Sequence, residues 1–222
     1  MKISHLGHSA VLVEIADRRI LVDPGNFSNA WHSLVDLDVV IVTHQHLDHL
    51  DPQFFPALLE RNPQAKVWVE PQVLKAHDLP VAKAFDADTS LRISGVRISA
   101  VGGQHAIIHK DIPRIGNVGF LLEAEGEPTF FHPGDSLATI PSGVDVAAIP
   151  AYGPWAAMKE TICFARQVGA PQGFLVHEGL LNERGWALAF SRINDMTPTK
   201  LTDIRDGRAW EPSDVRQSES LS

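Results

Sequence analysis

The run Val39-Val40-Ile41-Val42 is apolar at every position and delivers the chain directly into Thr43-His44-Gln45-His46-Leu47-Asp48-His49. Consecutive β-branched aliphatics in so short a run describe a strand buried on both faces, so its sheet must be covered by packed layers on either side. The next residues are of the opposite character: three imidazoles and a carboxylate within six positions, all capable of ligating a metal. An extended or turning segment there aims His44 and His46 at one ion while Asp48 and His49 turn toward another. A merely solvated loop is a poor account of the motif, because clustered imidazoles without a metal are desolvated and, once protonated, repel one another.

The surrounding pattern is that of a layered α/β chain. Strands are expected at residues 2–5, 10–15 and 19–22 as a meander, then at 38–42, 66–70, 97–101, 118–123, 129–131, 145–149 and 173–176. Helices are expected from Asp51-Pro52 to Asn62-Pro63, over 71–77, and from Trp155 to Val168 with Met158, Ile162, Ala165 and Val168 on one face. Cys163 falls inside that apolar pattern and is expected in the core. Residues 1–210 form one expected domain, and the polar, Ser-rich stretch 211–222 a frayed tail.

Composition narrows the function classes. With 19 basic and 27 acidic residues the net charge is -8, which disfavours nucleic acid as a general partner. A single cysteine excludes an internal disulfide framework. The N-terminal residues carry no secretory pattern and no stretch approaches the roughly 18 apolar residues of a spanning helix, so a cytoplasmic protein without a membrane partner is expected. Eleven histidines are the unusual count, and they call for a chemical explanation.

His-x-His-x-Asp-His after an apolar strand resembles the signature of the metallo-β-lactamase-fold hydrolases. Gly7-His8-Ser9, Val22-Asp23-Pro24, Gly102-Gly103-Gln104-His105-Ala106, Pro133-Gly134-Asp135-Ser136 and Val176-His177 follow in the order that superfamily uses. Together they resemble most closely the subgroup that includes phosphorylated-ascorbate lactonases and many uncharacterised cytoplasmic hydrolases. The resemblance implies a four-layer αββα sandwich and two divalent metal ions. It assigns His44, His46 and His105 to the first ion, Asp48, His49 and His177 to the second, and Asp135 to both. His109 competes with His105, whose Gly-Gly-Gln-His-Ala context is the closer match. Asp23 is expected to orient a ligand imidazole or to cap an Asx turn.

The implied activity is hydrolysis of a small ester, lactone or phosphoester by water activated between the ions, with Asp48 steering that water and His8 donating a hydrogen bond to substrate. Imidazole-rich ligation points to Zn²⁺ first and Mn²⁺ second, with Fe²⁺ or Ni²⁺ also compatible. The ions leave the site locally positive, suited to a small and even anionic substrate. An RNA-cleaving nuclease and a non-catalytic metal-binding protein are the competing readings, and an oligomer is compatible with all of them. His132 at the Pro-Gly-Asp turn is read as packing, and Trp155, in Tyr152-Gly153-Pro154-Trp155, as a packed helix-start residue or a pocket wall. His5, His32 and His77 receive no role.

Overall fold

The computed structural model describes residues 1–213. A six-stranded sheet runs in the order β1 (Lys2–His5), β2 (Val11–Ile15), β3 (Arg18–Val22), β4 (Val39–Val42), β5 (Lys66–Val69), β6 (Ala82–Ala84). The first three strands form the expected antiparallel meander, whereas β3 through β6 are parallel. A seven-stranded sheet runs β13 (Lys200–Leu201), β12 (Gln172–Val176), β11 (Val146–Pro150), β10 (Phe130–His132), β9 (Val118–Glu123), β8 (Val96–Gly102), β7 (Ser90–Ile93). Both sheets are mixed, and the helices α1 (Phe55–Arg61), α2 (Val73–Ala76), α3 (Met158–Val168) and α4 (Glu183–Met196) flank them.

Side-chain alternation builds the layers. Val39 and Ile41 of β4 point into a core shared by both sheets with Val146, Ala148, Phe174 and Val176, while Val40 and Val42 point outward to Phe55 and Leu58 of α1. On the far side, Ala147, Ile149 and Leu175 meet Ile162, Phe164 and Ala165 of α3 and Ala189 and Ile193 of α4. The central strands are apolar throughout because each has a packed layer on either face. This is the four-layer αββα arrangement.

Several local expectations are adjusted. The first helix begins at Phe55 rather than Asp51, since Pro56 is tolerated only in a first turn; Asp51 instead accepts from Gln53 N–H at 2.9 Å. Cys163 is exposed, because its helix buries Ile162, Phe164 and Ala165 and turns position 163 outward. The hairpin partner β7 and helix α4 were not expected. For α4 the signal is the spacing of Trp186, Ala189, Phe190 and Ile193 behind the N-cap Asn182, whose side chain accepts from Gly185 N–H at 3.0 Å. Of the expected tail 211–222, Ser213 exchanges two hydrogen bonds of 2.8 Å with the Gln172 side chain, and residues 214–222 lie outside the described residues. Among the described residues no helix is long and apolar enough to cross a membrane.

Candidate metal centre

Each residue singled out for the site follows the carboxyl end of a strand. The loop after β1 carries His8, β3 is followed by Asp23, β4 by residues 43–49, β8 by His105, β10 by Asp135 and β12 by His177. Strand ends are where side chains from distant parts of an open sheet converge. His8, Asp23 and His177 hold φ of 54°, 49° and 61°, the left-handed region that non-glycine residues rarely occupy. Such strain persists only where surrounding contacts over-determine it.

The convergence yields two groups, His44, His46, His105 and Asp135 in one and His8, Asp48, His49 and His177 in the other, with candidate ligand atoms in each within 4.8 Å of one another. Asp135 stands between them: Oδ1 lies 3.1 Å from His49 Nε2, while Oδ2 lies 3.1 Å from His177 Nε2 and 3.3 Å from His105 Nε2. His109 is exposed beside Asp111 and belongs to neither group.

Hydrogen bonds on the outer ring nitrogens decide which nitrogens face inward. His49 Nδ1–H donates to Asp23 Oδ2 at 2.6 Å, His105 Nδ1–H to Ala106 O at 2.7 Å, and His177 Nδ1–H to Tyr152 O at 2.5 Å. Thr43 Oγ1 gives its proton to Asp23 Oδ2 at 2.7 Å and so accepts from His44 Nδ1–H at 3.0 Å. The Nε2 atoms of His44, His49, His105 and His177 thereby face the interior, where His46 presents Nδ1 at 3.0 Å from His44 Nε2. Two basic nitrogens facing each other at that distance need a cation or a shared proton. His105 Nε2 and Asp135 Oδ1 are buried without a hydrogen-bond partner. Anchored outer nitrogens, orphaned inner atoms and a central carboxylate fit divalent ions on imidazole and carboxylate ligands.

His8 differs from the other imidazoles. Gly179 N–H donates to its Nδ1 at 3.1 Å, so the neutral ring carries its proton on Nε2, 3.0 Å from Asp48 Oδ2. It is placed as a donor to Asp48.

Charge follows the same geometry. Burial opposes ionisation of Asp135, but the positive charge of His49 and His177 holds its carboxyl well below the usual range. His49 is raised well above the ordinary imidazole value: burial works against it, and the charges of Asp135 and Asp23 outweigh burial. His177 is raised against burial by Asp135. His44 and His46 are lowered by burial and next by their imidazole neighbours, His49 and His105 respectively. Burial pushes Asp48 up, yet the His8 hydrogen bond and nearby His49 hold it at about 2.

Four contributors carried no sequence expectation. Asn117 Oδ1 accepts Asp135 N–H and its Nδ2 donates to Pro133 O, both at 2.9 Å, fixing the Pro-Gly-Asp turn. Thr43 links Asp23 to His44. Glu178 accepts His8 N–H at 2.9 Å, and His5 Nε2–H donates to His8 O at 2.9 Å. All act on a neighbour rather than facing the centre, so spacing does not reveal them. Trp155 also reaches the site: its Nε1–H donates to Asp135 Oδ2 at 3.0 Å.

Two mixed sheets between helices, with paired His/Asp clusters at their strand ends, define the metallo-β-lactamase fold. The beta-lactamase superfamily domain matches residues 2–172, and the chain belongs to that family. It is 34% identical over 200 residues to Protein Rv0786c of Mycobacterium tuberculosis, covering 90% of this chain and 94% of that one. It is 27% identical over 143 residues to the UPF0173 metal-dependent hydrolase SSO0099 of Saccharolobus solfataricus, spanning 59% of this chain and 60% of that relative. In structure it is similar to the metallo-beta-lactamase fold protein YhfI of Bacillus subtilis, with a TM-score of 0.69 at 14% identity over 94% of this chain and 98% of that one.

Proposed function

We propose that this chain is a metal-dependent hydrolase that cleaves a small carboxylic ester or lactone at a two-ion centre. The observation that carries the reading is Asp135, whose carboxylate stands between the two imidazole clusters, Oδ1 3.1 Å from His49 Nε2 and Oδ2 3.1 Å from His177 Nε2 and 3.3 Å from His105 Nε2. His44 Nε2, His46 Nδ1 and His105 Nε2 would hold the first ion, Asp48, His49 Nε2 and His177 Nε2 the second, and Asp135 both. When bound, such ions lower the pKa of a coordinated water toward about 7 and polarise the oxygen under attack. Zn²⁺ is the first expectation for this donor set and Mn²⁺ the second.

The chain's own groups do the remaining work. Asp48, kept ionised by His8, is the acceptor for the proton of the attacking water, and His8 Nε2–H keeps the carboxylate aimed. Asp23 and the carbonyls of Ala106 and Tyr152 lock the imidazole tautomers. A small-molecule substrate is favoured over RNA by the net charge of -8. Arg114, beside the site, already donates from Nε to His105 O at 2.5 Å and from Nη1 to Gln104 Oε1 at 2.6 Å, which weakens its case as a phosphate clamp.

Elemental analysis of the purified protein, followed by a panel of lactones, carboxylic esters, thioesters and phosphodiesters, tests the proposal. Two ions per chain and turnover of an ester or lactone, both lost in His46→Ala, are expected. Hydrolysis unchanged in His46→Ala would overturn it.

A further inference from the structure

Several large apolar side chains beside residues of the metal centre are exposed. Phe27, Leu47, Leu180 and Ile107 are 47% to 63% exposed. Leu47 lies between His46 and Asp48, and Ile107 two residues past His105. Phe27 packs its ring 4.7 Å from that of His8, and Leu180 follows Gly179, which contacts both His8 and Phe27. Solvent-exposed apolar groups gathered beside one centre signal a surface that something apolar covers.

On the first-ion side Ile107 also borders an open cleft of about 460 Å³. Ile107, Leu137 and Trp155 form its apolar walls, with Cys163 and Gln167 on the α3 side. Trp155 is the connecting element: its Nε1–H is 3.0 Å from Asp135 Oδ2 and its ring lies 6.0 Å from that of His105. The cleft's two charged side chains are of opposite sign and already engaged, Arg114 with His105 O and Glu160 with Ala157 N–H. A groove that joins exposed apolar side chains to charges of balanced sign beside a polar centre suits an amphipathic ligand.

From this we infer that the substrate carries a hydrophobic arm, a medium-length acyl chain on the carbonyl that is attacked, and that the arm lies in the cleft walled by Trp155, Leu137 and Ile107. The inference rests on the hydrolase reading and narrows it to hydrophobic carboxylic esters. Water attacks the acyl carbon and the C–O bond to the leaving alcohol breaks; one of the water's protons passes to the alcohol and the other is released to solvent, and the carboxylate product keeps its chain in the cleft.

The single cysteine, Cys163, is exposed on the cleft wall and supplies a readout independent of turnover. Metal-loaded protein is assayed with p-nitrophenyl acetate, butyrate, hexanoate and octanoate, and alkylation of Cys163 by N-benzylmaleimide is timed with octanoate or acetate present. With up to about fourfold gained per buried methylene and part of the chain left wet, kcat/KM for the octanoate ester should exceed that for acetate by on the order of fiftyfold. Octanoate should slow alkylation at least fivefold and acetate should not. Cys163→Trp, at an exposed helix position, should lower the octanoate-to-acetate ratio at least tenfold. Equal rates along the series with no protection, or a preference untouched by Cys163→Trp, overturns the cleft assignment while leaving the hydrolase reading intact. Protection of Cys163 by octanoate with no ester hydrolysed supports the cleft and sinks the hydrolase reading instead.

Discussion

His49 Nδ1–H donates to Asp23 Oδ2 at 2.6 Å, and both side chains are completely enclosed. The same carboxylate accepts Thr43 N–H and Thr43 Oγ1–H, each at 2.7 Å, so one buried acid fixes the start of the His-rich loop and the ring of a proposed ligand within it. Asp23 sits at φ 49°, where asparagine is tolerated and most other residues are not, which makes Asp23→Asn the fair substitution. It should weaken metal binding about 10- to 100-fold, the usual cost of losing an outer hydrogen-bond partner of a ligand. Competition with a chromophoric chelator measures this, and affinity equal to wild type would assign Asp23 to the turn alone.

In the metal-free protein the surrounding carboxylates raise His49 well above and His177 above the ordinary imidazole value, so both rings are biased toward the protonated form that a metal must displace. Metal binding therefore releases protons, and affinity rises as pH rises and falls as pH drops. Titration calorimetry of Zn²⁺ into the metal-free protein in two buffers of different ionisation enthalpy should show net proton release at pH 7. Identical heats in both buffers would contradict the assignment of these rings as ligands.

His132 presents the opposite case. It is buried and its Nδ1 accepts Gly134 N–H at 3.1 Å, while burial lowers its pKa to about 4. Its folded value lies below the unfolded one of 6.5, so the unfolded chain binds the extra proton first. Its contribution is intact above pH 6.5 and is lost between 6.5 and about 4, on the order of 3 kcal/mol in all. His132→Asn keeps an acceptor for Gly134 N–H and has nothing to protonate. Urea unfolding of the two metal-free proteins should show the difference between them shrinking or reversing as pH falls from 7 to 4; a constant difference would rule this account out.

The reading available from sequence was good where residues themselves face the chemistry. The apolar run of β4 and the His-rich loop behind it announce a covered sheet and a metal site, because burial on both faces and dense ligation each impose a composition. His105 and His177, in contrast, are single imidazoles in ordinary turns and become legible only through the strong motif that needs partners. Asn117, Thr43 and Glu178 escape because they act through one contact on a neighbour, and their residue types suit any turn. Cys163 was misplaced since it sits among apolar helix positions, yet lies one residue off the buried stripe formed by Ile162, Phe164 and Ala165. The helix α4 went unseen because it buries only Ala189 and Ile193 fully, too thin a stripe to stand out against a polar sequence.

Gly25 offers a test of how far the metal loop depends on its neighbour. Asn26 N–H donates to Leu47 O at 2.8 Å and Asp51 N–H to Pro24 O at 3.0 Å, so the Asp23-Pro24-Gly25 turn is clasped to residues 47–51. A Cβ on Gly25 would fall 1.8 Å from Asp48 O and 2.5 Å from His49 N. Both obstacles are backbone, so no rotamer change relieves the clash and the loop itself must move. Gly25→Ala should cost about 2–4 kcal/mol of stability, in the range of severe overpacking. The displaced residues belong to the second cluster, whereas His44 and His105 are held by Thr43 and Ala106. Metal content should therefore drop from two ions toward one, with the remaining ion bound at near-native affinity. Two tightly bound ions in a destabilised Gly25→Ala protein would show that Asp48 and His49 are positioned independently of this turn.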